Sequence, residues 1–208
     1  MAHSEAATVA AIRECRDQVV ATCTPLSTAR WHLPTALPGW DVQDVVAHLG
    51  SLDGFLLGRT EPSRRADAPA APAAPWVRNP LGELNEALVD RRRSWSPGQV
   101  LDEFGETTEL RLRQLEALSE ADLEVEVPAP GGGRVPQRRF LGIRLWDFVI
   151  HEFDIAEALG EEPRVDSPGA TRVLDEMTFL LPRALGKAHA ADGTTLLIEL
   201  GAPGRVMG

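Results

Sequence analysis

A polar stripe on an otherwise apolar helix is the feature that most constrains this chain. The segment from Arg144 to Ile155 is apolar almost all round, which is typical of a buried helix. Asp147 and His151 lie four residues apart in it, so a carboxylate and an imidazole can reach the same divalent ion. Burying such groups is costly unless they are paired or coordinate a metal. The segment therefore predicts either a hydrogen-bonded core pair or part of a metal site.

Two further polar residues share this stripe. Arg144 is predicted to bind a substrate carboxylate, with a salt bridge to Asp154 or to another helix as the equal alternative. Asp154 follows His151 by three residues and is predicted to fix the tautomer of its imidazole, or else to be structural near the helix end. Glu152 is turned by ~100° from its neighbour His151 on the helical wheel, so it is left out of the predicted site.

A second histidine, His48, is predicted to point into the same core. Asp41 is a good N-cap and Asp44 places negative charge in the first turn, so a helix begins here. On that helix His48 shares its face with apolar side chains, and a lone histidine in such a place is usually a core residue. Two imidazoles and one carboxylate, however, form a common catalytic ligand set that leaves a position open for water or substrate. Convergence of His48 with Asp147 and His151 is therefore the alternative that we favour.

Composition narrows the class of protein. The chain has 208 residues, 43% of them hydrophobic, which is enough for one ordinary domain with a real core. Its 21 basic and 31 acidic residues give a net charge of −10, which argues against nucleic acid or an anionic membrane as partner. No apolar run approaches the ~20 residues of a membrane span, and no signal peptide is evident. We expect a soluble cytoplasmic protein.

Most of the chain is predicted to be helical. The predicted helices are 4–23, 41–58, 79–95, 96–118, 137–159 and 167–187. An antiparallel all-α bundle with a metal site between facing helices is the economical architecture. Residues 194–200 have strand-like character, but one strand cannot form a sheet alone. That segment must add to something absent from this sequence, pair with another chain or be disordered.

Several other segments have simpler interpretations. Cys15 and Cys23 lie ~12 Å apart along one predicted helix, too far for a disulfide, and are expected to pack as small hydrophobes. The Arg91–Arg93 run is expected to be a solvated face rather than an anion patch. The Ala/Pro-rich stretch 66–75 is predicted to be a loop, either a lid or an inert surface loop. The Gly-rich stretch 128–136 is predicted to be a turn region and no phosphate loop.

Three motifs together resemble a known family. They are Pro38–Leu49, Asp147–Ile155 and Ala158–Gly160. In combination they resemble the maleylpyruvate isomerase-like proteins, mycothiol-dependent enzymes of the DinB superfamily, over about residues 5–186. The resemblance implies an all-α, DinB-like antiparallel four-helix bundle with additional short helices and the C-terminal strand-like segment. It also implies a helical domain over 1–188 and a tail, 189–208, that resembles the start of a sterol-carrier-like C-terminal domain.

The resemblance also implies a chemistry. By position, His48, Asp147 and His151 match the family's ligands of a divalent metal, usually Zn²⁺. The isomerase type carries a glutamate at the position of Asp147, so the ligand arm is shorter in this chain. A low-molecular-weight thiol, mycothiol, is implied as cosubstrate for isomerisation or S-transfer on a small electrophilic substrate. A thiol supplied from outside fits a chain in which neither cysteine has an obvious activating neighbour.

Two other functions stay open at the level of sequence. One is a non-catalytic metal-binding or ligand-binding bundle, and the other is a metal-dependent hydrolase that uses bound water on an ester or amide. Thiol-dependent turnover separates the thiol enzyme from the hydrolase, whereas metal binding without turnover indicates the inert bundle. The expected partners are small molecules, with neither nucleic acid nor membrane, and formation of a homodimer is left open.

Overall fold

Helices dominate the structure, a computed structural model that describes residues 5–59, 74–129 and 133–174, together with 177, 193, 198–199 and 206–207. In chain order the elements are α1 (Glu5–Cys23), α2 (Thr28–Trp31), α3 (Val42–Leu56), α4 (Pro80–Asp90), α5 (Pro97–Glu116), α6 (Glu120–Leu123), β1 (Glu126–Pro128), β2 (Arg134–Pro136), α7 (Gln137–Ala158), β3 (Ile198–Glu199) and β4 (Val206–Met207). Residues 168–174 are also helical.

Four long helices form the bundle. Helix α3 packs against α5 and α7, and α1 packs against the same two helices, so each long helix has two long neighbours. The buried side chains of all four form one hydrophobic core, and α4 lies against the outside of α3. The predicted all-α bundle is confirmed.

Local signals set where these helices begin and end. The Asp41 carboxylate accepts a hydrogen bond of 2.9 Å from the Asp44 amide and caps α3, as predicted. Ser96 and Gln99 form a capping box at the start of α5, which has Pro97 at its first position. Helix α7 ends before Gly160, whose φ of 71° lies in the left-handed region that glycine adopts most readily.

Both cysteines are free and buried in the core, which confirms that they pack as small hydrophobes. Burial, helped by Glu161, raises the pKa of Cys23 to about 12. Burial, helped by Glu152, raises the pKa of Cys15 as well. Neither thiol is ionised near neutral pH, so neither is an effective nucleophile.

The expectation of a solvated Arg91–Arg93 face is wrong for Arg92. This side chain is 2% exposed, and its guanidinium holds the Glu103 carboxylate with two hydrogen bonds of 2.5 and 2.7 Å. A third hydrogen bond of 2.8 Å runs from Arg92 to the Leu88 carbonyl. A helical wheel separates the three arginines but does not say which of them meets a neighbouring helix, and Arg92 faces α5.

Two short strand pairs lie outside the bundle. Strands β1 and β2 form an antiparallel hairpin in the stretch that was predicted to be a turn region. Strands β3 and β4 also pair antiparallel, so the strand-like C-terminal segment pairs within its own chain, which none of the three predicted alternatives included.

Two predictions fall where the structure gives no description. Most of the Ala/Pro-rich stretch and the proposed domain boundary at residue 188 lie outside the described residues, so both stay predictions. In the described part of the chain, no helix combines the length and the apolar character that crossing a bilayer requires.

Glycine lets α3 approach α5 closely. A Cβ atom on Gly50 would lie 2.9 Å from the backbone Cα of Phe104, closer than such atoms come in folded proteins. At the same place the Thr107 hydroxyl donates a 3.0 Å hydrogen bond to the Gly50 carbonyl. One turn later, a Cβ on Gly54 would be 3.6 Å from the Thr107 methyl, an ordinary contact.

These distances predict opposite effects of two similar substitutions. Gly50→Ala should destabilise the protein by about 1–3 kcal/mol, because the new methyl group meets backbone that cannot move aside. Gly54→Ala, the matched control, should be neutral or stabilise by up to about 1 kcal/mol, because alanine favours the helix and space is available. Urea unfolding of the two variants and the wild type measures both; equal effects would contradict the close approach.

Candidate metal centre

Three polar side chains from two helices meet in the core. His48 comes from α3, whereas Asp147 and His151 come from successive turns of α7. One ligand atom from each lies within 4.8 Å of the others. The Nε2 atom of His48 is 3.5 Å from Asp147 Oδ2, and Nε2 of His151 is 3.5 Å from Asp147 Oδ1. The structure thus brings together all three residues that the sequence singled out.

These donors lie close enough to one another to hold one divalent cation. Zinc lies about 2.0–2.2 Å from imidazole nitrogen and carboxylate oxygen, so neighbouring donors in a tetrahedron are about 3.4 Å apart. Both nitrogen-to-oxygen distances at Asp147 are 3.5 Å, one to Oδ2 from His48 and the other to Oδ1 from His151. Two imidazoles and one carboxylate would leave the fourth position for another ligand.

Asp154 orients His151. Its Oδ2 atom lies 2.9 Å from Nδ1 of His151, so this nitrogen carries the proton, and Nε2, on the side of Asp147, is the remaining donor atom. Burial lowers the pKa of His151, but hydrogen bonds and charges from Asp147 and Asp154 outweigh burial and raise it to about 9. The predicted contact between Asp154 and His151 is therefore present.

His48 and Asp147 have complementary charge states. Burial lowers the pKa of His48, which leaves its imidazole neutral near pH 7 and able to donate a lone pair. Burial alone would raise the pKa of Asp147, but His48 and Arg144 hold it well below its usual range. Nδ1 of His48 is buried and has no hydrogen-bond partner among the described residues.

Arg144 joins the two helices of the centre. Its guanidinium donates to Asp53 Oδ1 at 3.0 Å, to the Leu49 carbonyl at 2.9 Å and to Asp147 Oδ2. The side chain is only 4% exposed. Of the alternatives at the sequence level, the structure contains the salt bridge to another helix and not the one to Asp154. A role for Arg144 in substrate binding stays a prediction.

Sequence reasoning gave no role to two residues that shape the centre. The Trp40 ring lies 5.2 Å from the His48 ring and 6.4 Å from the His151 ring, centroid to centroid, and covers both imidazoles. Its indole nitrogen donates to Glu86 at 2.9 Å, which fixes the ring. Asp53 pairs with Arg144 beneath the centre. Trp40 lies within a motif that carried the family resemblance, whereas the local sequence around Asp53 contains no such signal.

Two cavities open beside the three residues, and His48 and Asp147 line both. We call them the leucine lobe, of about 310 Å³, and the tryptophan lobe, of about 380 Å³. Asn85 also lines both lobes. The leucine lobe is otherwise lined chiefly by Leu52, Leu81, Phe140, Ile143 and Trp146, together with Arg139. The tryptophan lobe is lined by His151 and by Trp40, Trp76, Arg78, Asn79 and Glu86. Volumes of this size suit small molecules.

A match to a protein family covers most of the chain. Residues 12–156 match the family described as the mycothiol maleylpyruvate isomerase N-terminal domain. This chain belongs to that family. The matched range includes all three residues of the candidate centre. No curated protein matches the chain in sequence.

Solved structures share the fold of this family member. Two crystal structures of the mycothiol-dependent maleylpyruvate isomerase, one of a variant with a histidine replaced by alanine, align with TM-scores of 0.67 at 15% identity; the alignments cover 99% of this chain and 80% of theirs. YfiT from Bacillus subtilis, described as a probable metal-dependent hydrolase with an unusual four-helix bundle topology, aligns with a TM-score of 0.55 at 16% identity, covering 78% of this chain and 91% of its own. The predicted DinB-like bundle is confirmed.

The buried Arg144–Asp53 pair gives a test of what holds the centre together. Arg144→Met should destabilise the protein by about 3–5 kcal/mol, because it leaves Asp53 buried without its counter-charge. Adding Asp53→Asn should recover part of that loss, since the uncompensated charge is then removed. Urea unfolding of the two single variants and the double variant measures the coupling.

Arg113→Met is the control for that experiment. Arg113 forms an ion pair with Glu109 on the surface of α5, and its side chain is 70% exposed. Exposed pairs of this kind contribute less than about 1 kcal/mol. Additive effects of the Arg144 and Asp53 substitutions would contradict a direct interaction between the two side chains.

Proposed function

We propose that this protein is a divalent-metal-dependent enzyme that uses a low-molecular-weight thiol, mycothiol, for isomerisation or S-transfer on a small electrophilic substrate. The observation that carries the proposal is the convergence of His48, Asp147 and His151 in a member of the mycothiol maleylpyruvate isomerase family. In the proposal these three residues are the metal ligands. Zn²⁺ is the preferred ion, because two imidazole nitrogens and one carboxylate oxygen suit it.

The chain's own residues would prepare this site for its ligands. Asp154 holds the proton on Nδ1 of His151, so Nε2 is the nitrogen that would bind the ion. Because the pKa of His151 is raised to about 9, binding near neutral pH would displace a proton from Nε2. Arg144 fixes the Asp147 carboxylate, and Trp40 shields both imidazoles from water. A divalent cation at such a site supplies Lewis acidity, which lowers the pKa of a thiol or a water bound to it.

The proposed chemistry needs no redox partner. The thiol loses its proton to solvent, and the sulfur electron pair forms a bond to an electrophilic carbon of the substrate. In isomerisation the thiolate adds to a cis double bond conjugated with a carbonyl, and the π electrons move to the carbonyl oxygen. Rotation about the resulting single bond and loss of the thiolate regenerate the double bond in the trans form. In S-transfer a leaving group departs with its electron pair and the thioether is released.

The state of the two cysteines supports a thiol supplied from outside. Cys15 and Cys23 are both buried in the core, and burial raises the pKa of each thiol. Neither Cys15 nor Cys23 lines either lobe beside the centre. A nucleophilic sulfur at His48 and Asp147 would therefore have to enter as a ligand.

Elemental analysis of the purified protein tests the metal centre. We expect about one equivalent of zinc or another divalent metal per chain, as three protein ligands support. His48→Ala and His151→Ala should each lose most of the metal while circular dichroism shows unchanged helix content. His32→Ala is the matched control, because this histidine is 49% exposed and pairs with Asp41 at 2.8 Å, away from the centre.

A graded variant sharpens the metal experiment. Asp154→Asn keeps all three proposed ligands but weakens the support of His151, so metal affinity should fall about 10–100-fold without being abolished. Competition with a fluorescent chelator measures this affinity. Metal content at the wild-type level in both histidine variants would contradict the proposed ligand set.

Turnover with and without thiol tests the activity. The metal-loaded protein should convert members of a panel of small electrophiles only when mycothiol is present. The reaction should be lost in His48→Ala and kept in His32→Ala. Hydrolysis of esters or amides without thiol would instead identify a metal-dependent hydrolase. Metal binding without turnover of any substrate would identify a non-catalytic bundle.

A further inference from the structure

Helix α4 separates the two lobes. Leu81 and Asn85 lie four residues apart on α4 and line the leucine lobe. Gly82 and Glu86, each one position further along, line the tryptophan lobe. Asn85 lines both lobes, as do His48 and Asp147. Ligands in the two lobes would therefore approach the centre along neighbouring faces of one helix.

The leucine lobe is an apolar pocket with little free positive charge. Its walls away from the centre come mostly from leucine, phenylalanine, isoleucine and tryptophan side chains on α3, α4 and α7. One further cation, Arg139, also lines the lobe, and it already has a partner. The charge of Arg144, at its inner end, is already balanced by Asp53 and Asp147. A substrate with two carboxylates could place at most one of them beside Arg139 and would bury the other without a matching charge, which is costly. An apolar substrate gains by burying its surface in the same place.

The tryptophan lobe has the opposite character. Two indole rings, Trp40 and Trp76, stand beside polar groups from Arg78, Asn79 and Glu86. The Trp76 ring packs directly over Gly39, where a Cβ atom would fall 2.0 Å from a ring carbon, so only glycine allows this position of the ring. Flat aromatic faces with hydrogen-bonding groups around them suit hydroxyl-rich, sugar-like ligands, which present apolar C–H faces and polar edges.

An unsatisfied polar atom lies where the lobes meet. Oδ1 of Asn85 is buried and has no hydrogen-bond partner among the described residues. Such an atom carries a cost of about 1–3 kcal/mol unless a ligand or water donates to it. Its place, between the two lobes and beside His48 and Asp147, suits a hydrogen bond to a ligand at the centre.

We propose that the leucine lobe binds the electrophile, that this electrophile is apolar with at most one anionic group, and that the tryptophan lobe binds the hydroxyl-rich scaffold of the thiol. This assignment rests on the proposed function, and it narrows the substrate class to molecules such as aryl or alkyl enones. A small dicarboxylate is a poor substrate by the same reasoning.

Binding of unreactive analogues to the metal-loaded protein tests the assignment without turnover. Calorimetry compares 4-phenylbutan-2-one, a saturated neutral ketone, with phenylsuccinate, which adds two carboxylates to a similar ring. The ketone should bind more than about tenfold tighter, because at least one of the two carboxylates of phenylsuccinate would be desolvated in the leucine lobe without a partner. S-methylmycothiol reports on the thiol, since its sulfur is blocked.

Two filling variants make the test specific to each lobe. Leu81→Trp narrows the leucine lobe and should lower the affinity for the ketone by more than about tenfold. The affinity for S-methylmycothiol should change by less than about twofold. Val77→Trp narrows the tryptophan lobe, which Val77 lines, and should have the reverse effect. If Leu81→Trp does not fold, Ile143→Trp fills the leucine lobe from α7 instead.

The outcomes separate this assignment from the proposed function. In one outcome, Leu81→Trp weakens binding of the ketone only, Val77→Trp weakens binding of S-methylmycothiol only, and no thiol-dependent turnover occurs. This outcome would support the two lobes as binding sites and reject the enzyme activity. In another outcome, thiol-dependent turnover occurs, but a single variant weakens the binding of both analogues. This outcome would support the activity and overturn the assignment of one ligand to each lobe. Equal or tighter binding of phenylsuccinate would overturn the apolar substrate class.

Discussion

The buried guanidinium of Arg144 is the interaction on which the geometry of the centre depends. It binds the Asp53 carboxylate and the Leu49 carbonyl of α3 and, on its own helix, the Asp147 carboxylate. One side chain therefore sets the distance between α3 and α7, the helices that carry His48 and His151. The same contact holds Asp147 ionised between the two imidazoles. Close packing of α3 on α5 at Gly50 supports this arrangement from the opposite side.

Beside α3 and α7, helix α4 and the loop before it give the site its chemical character. Glu86 fixes Trp40 over the imidazoles and is itself held by Arg93 at 2.7 Å. The Asn79 side chain caps α4 through the Gly82 amide at 2.9 Å. The result is one cluster of donors open to an apolar lobe on one side and a polar, aromatic lobe on the other. The proposed reaction between an apolar electrophile and a hydrophilic thiol would use one lobe for each.

Much of the bundle and the three candidate ligands could be predicted because their signals are local. The cap at Asp41 marks the start of α3, and the glycine after α7 marks the end of that helix. Each signal acts on backbone groups only a few residues away. Asp147 and His151 share a face because a helix returns there after four residues. For Arg144 the polar stripe left a substrate carboxylate and a salt bridge as equal alternatives, and the structure contains the salt bridge to another helix. The prediction for Arg92 was wrong, because a run of arginines by itself does not show that the Glu103 carboxylate on α5 lies within reach.

The sequence by itself determined that the chain is helical, where most helices begin and end, and that His48, Asp147 and His151 face the core. Only the tertiary structure decided which polar side chains meet. Arg144 and Asp53 are 91 positions apart, and no periodicity relates them. The pairing of β3 with β4 and the division of the site by α4 likewise depend on which segments pack together. Secondary structure follows from interactions between near neighbours, whereas a site built from several helices follows from the packing of side chains far apart in the chain.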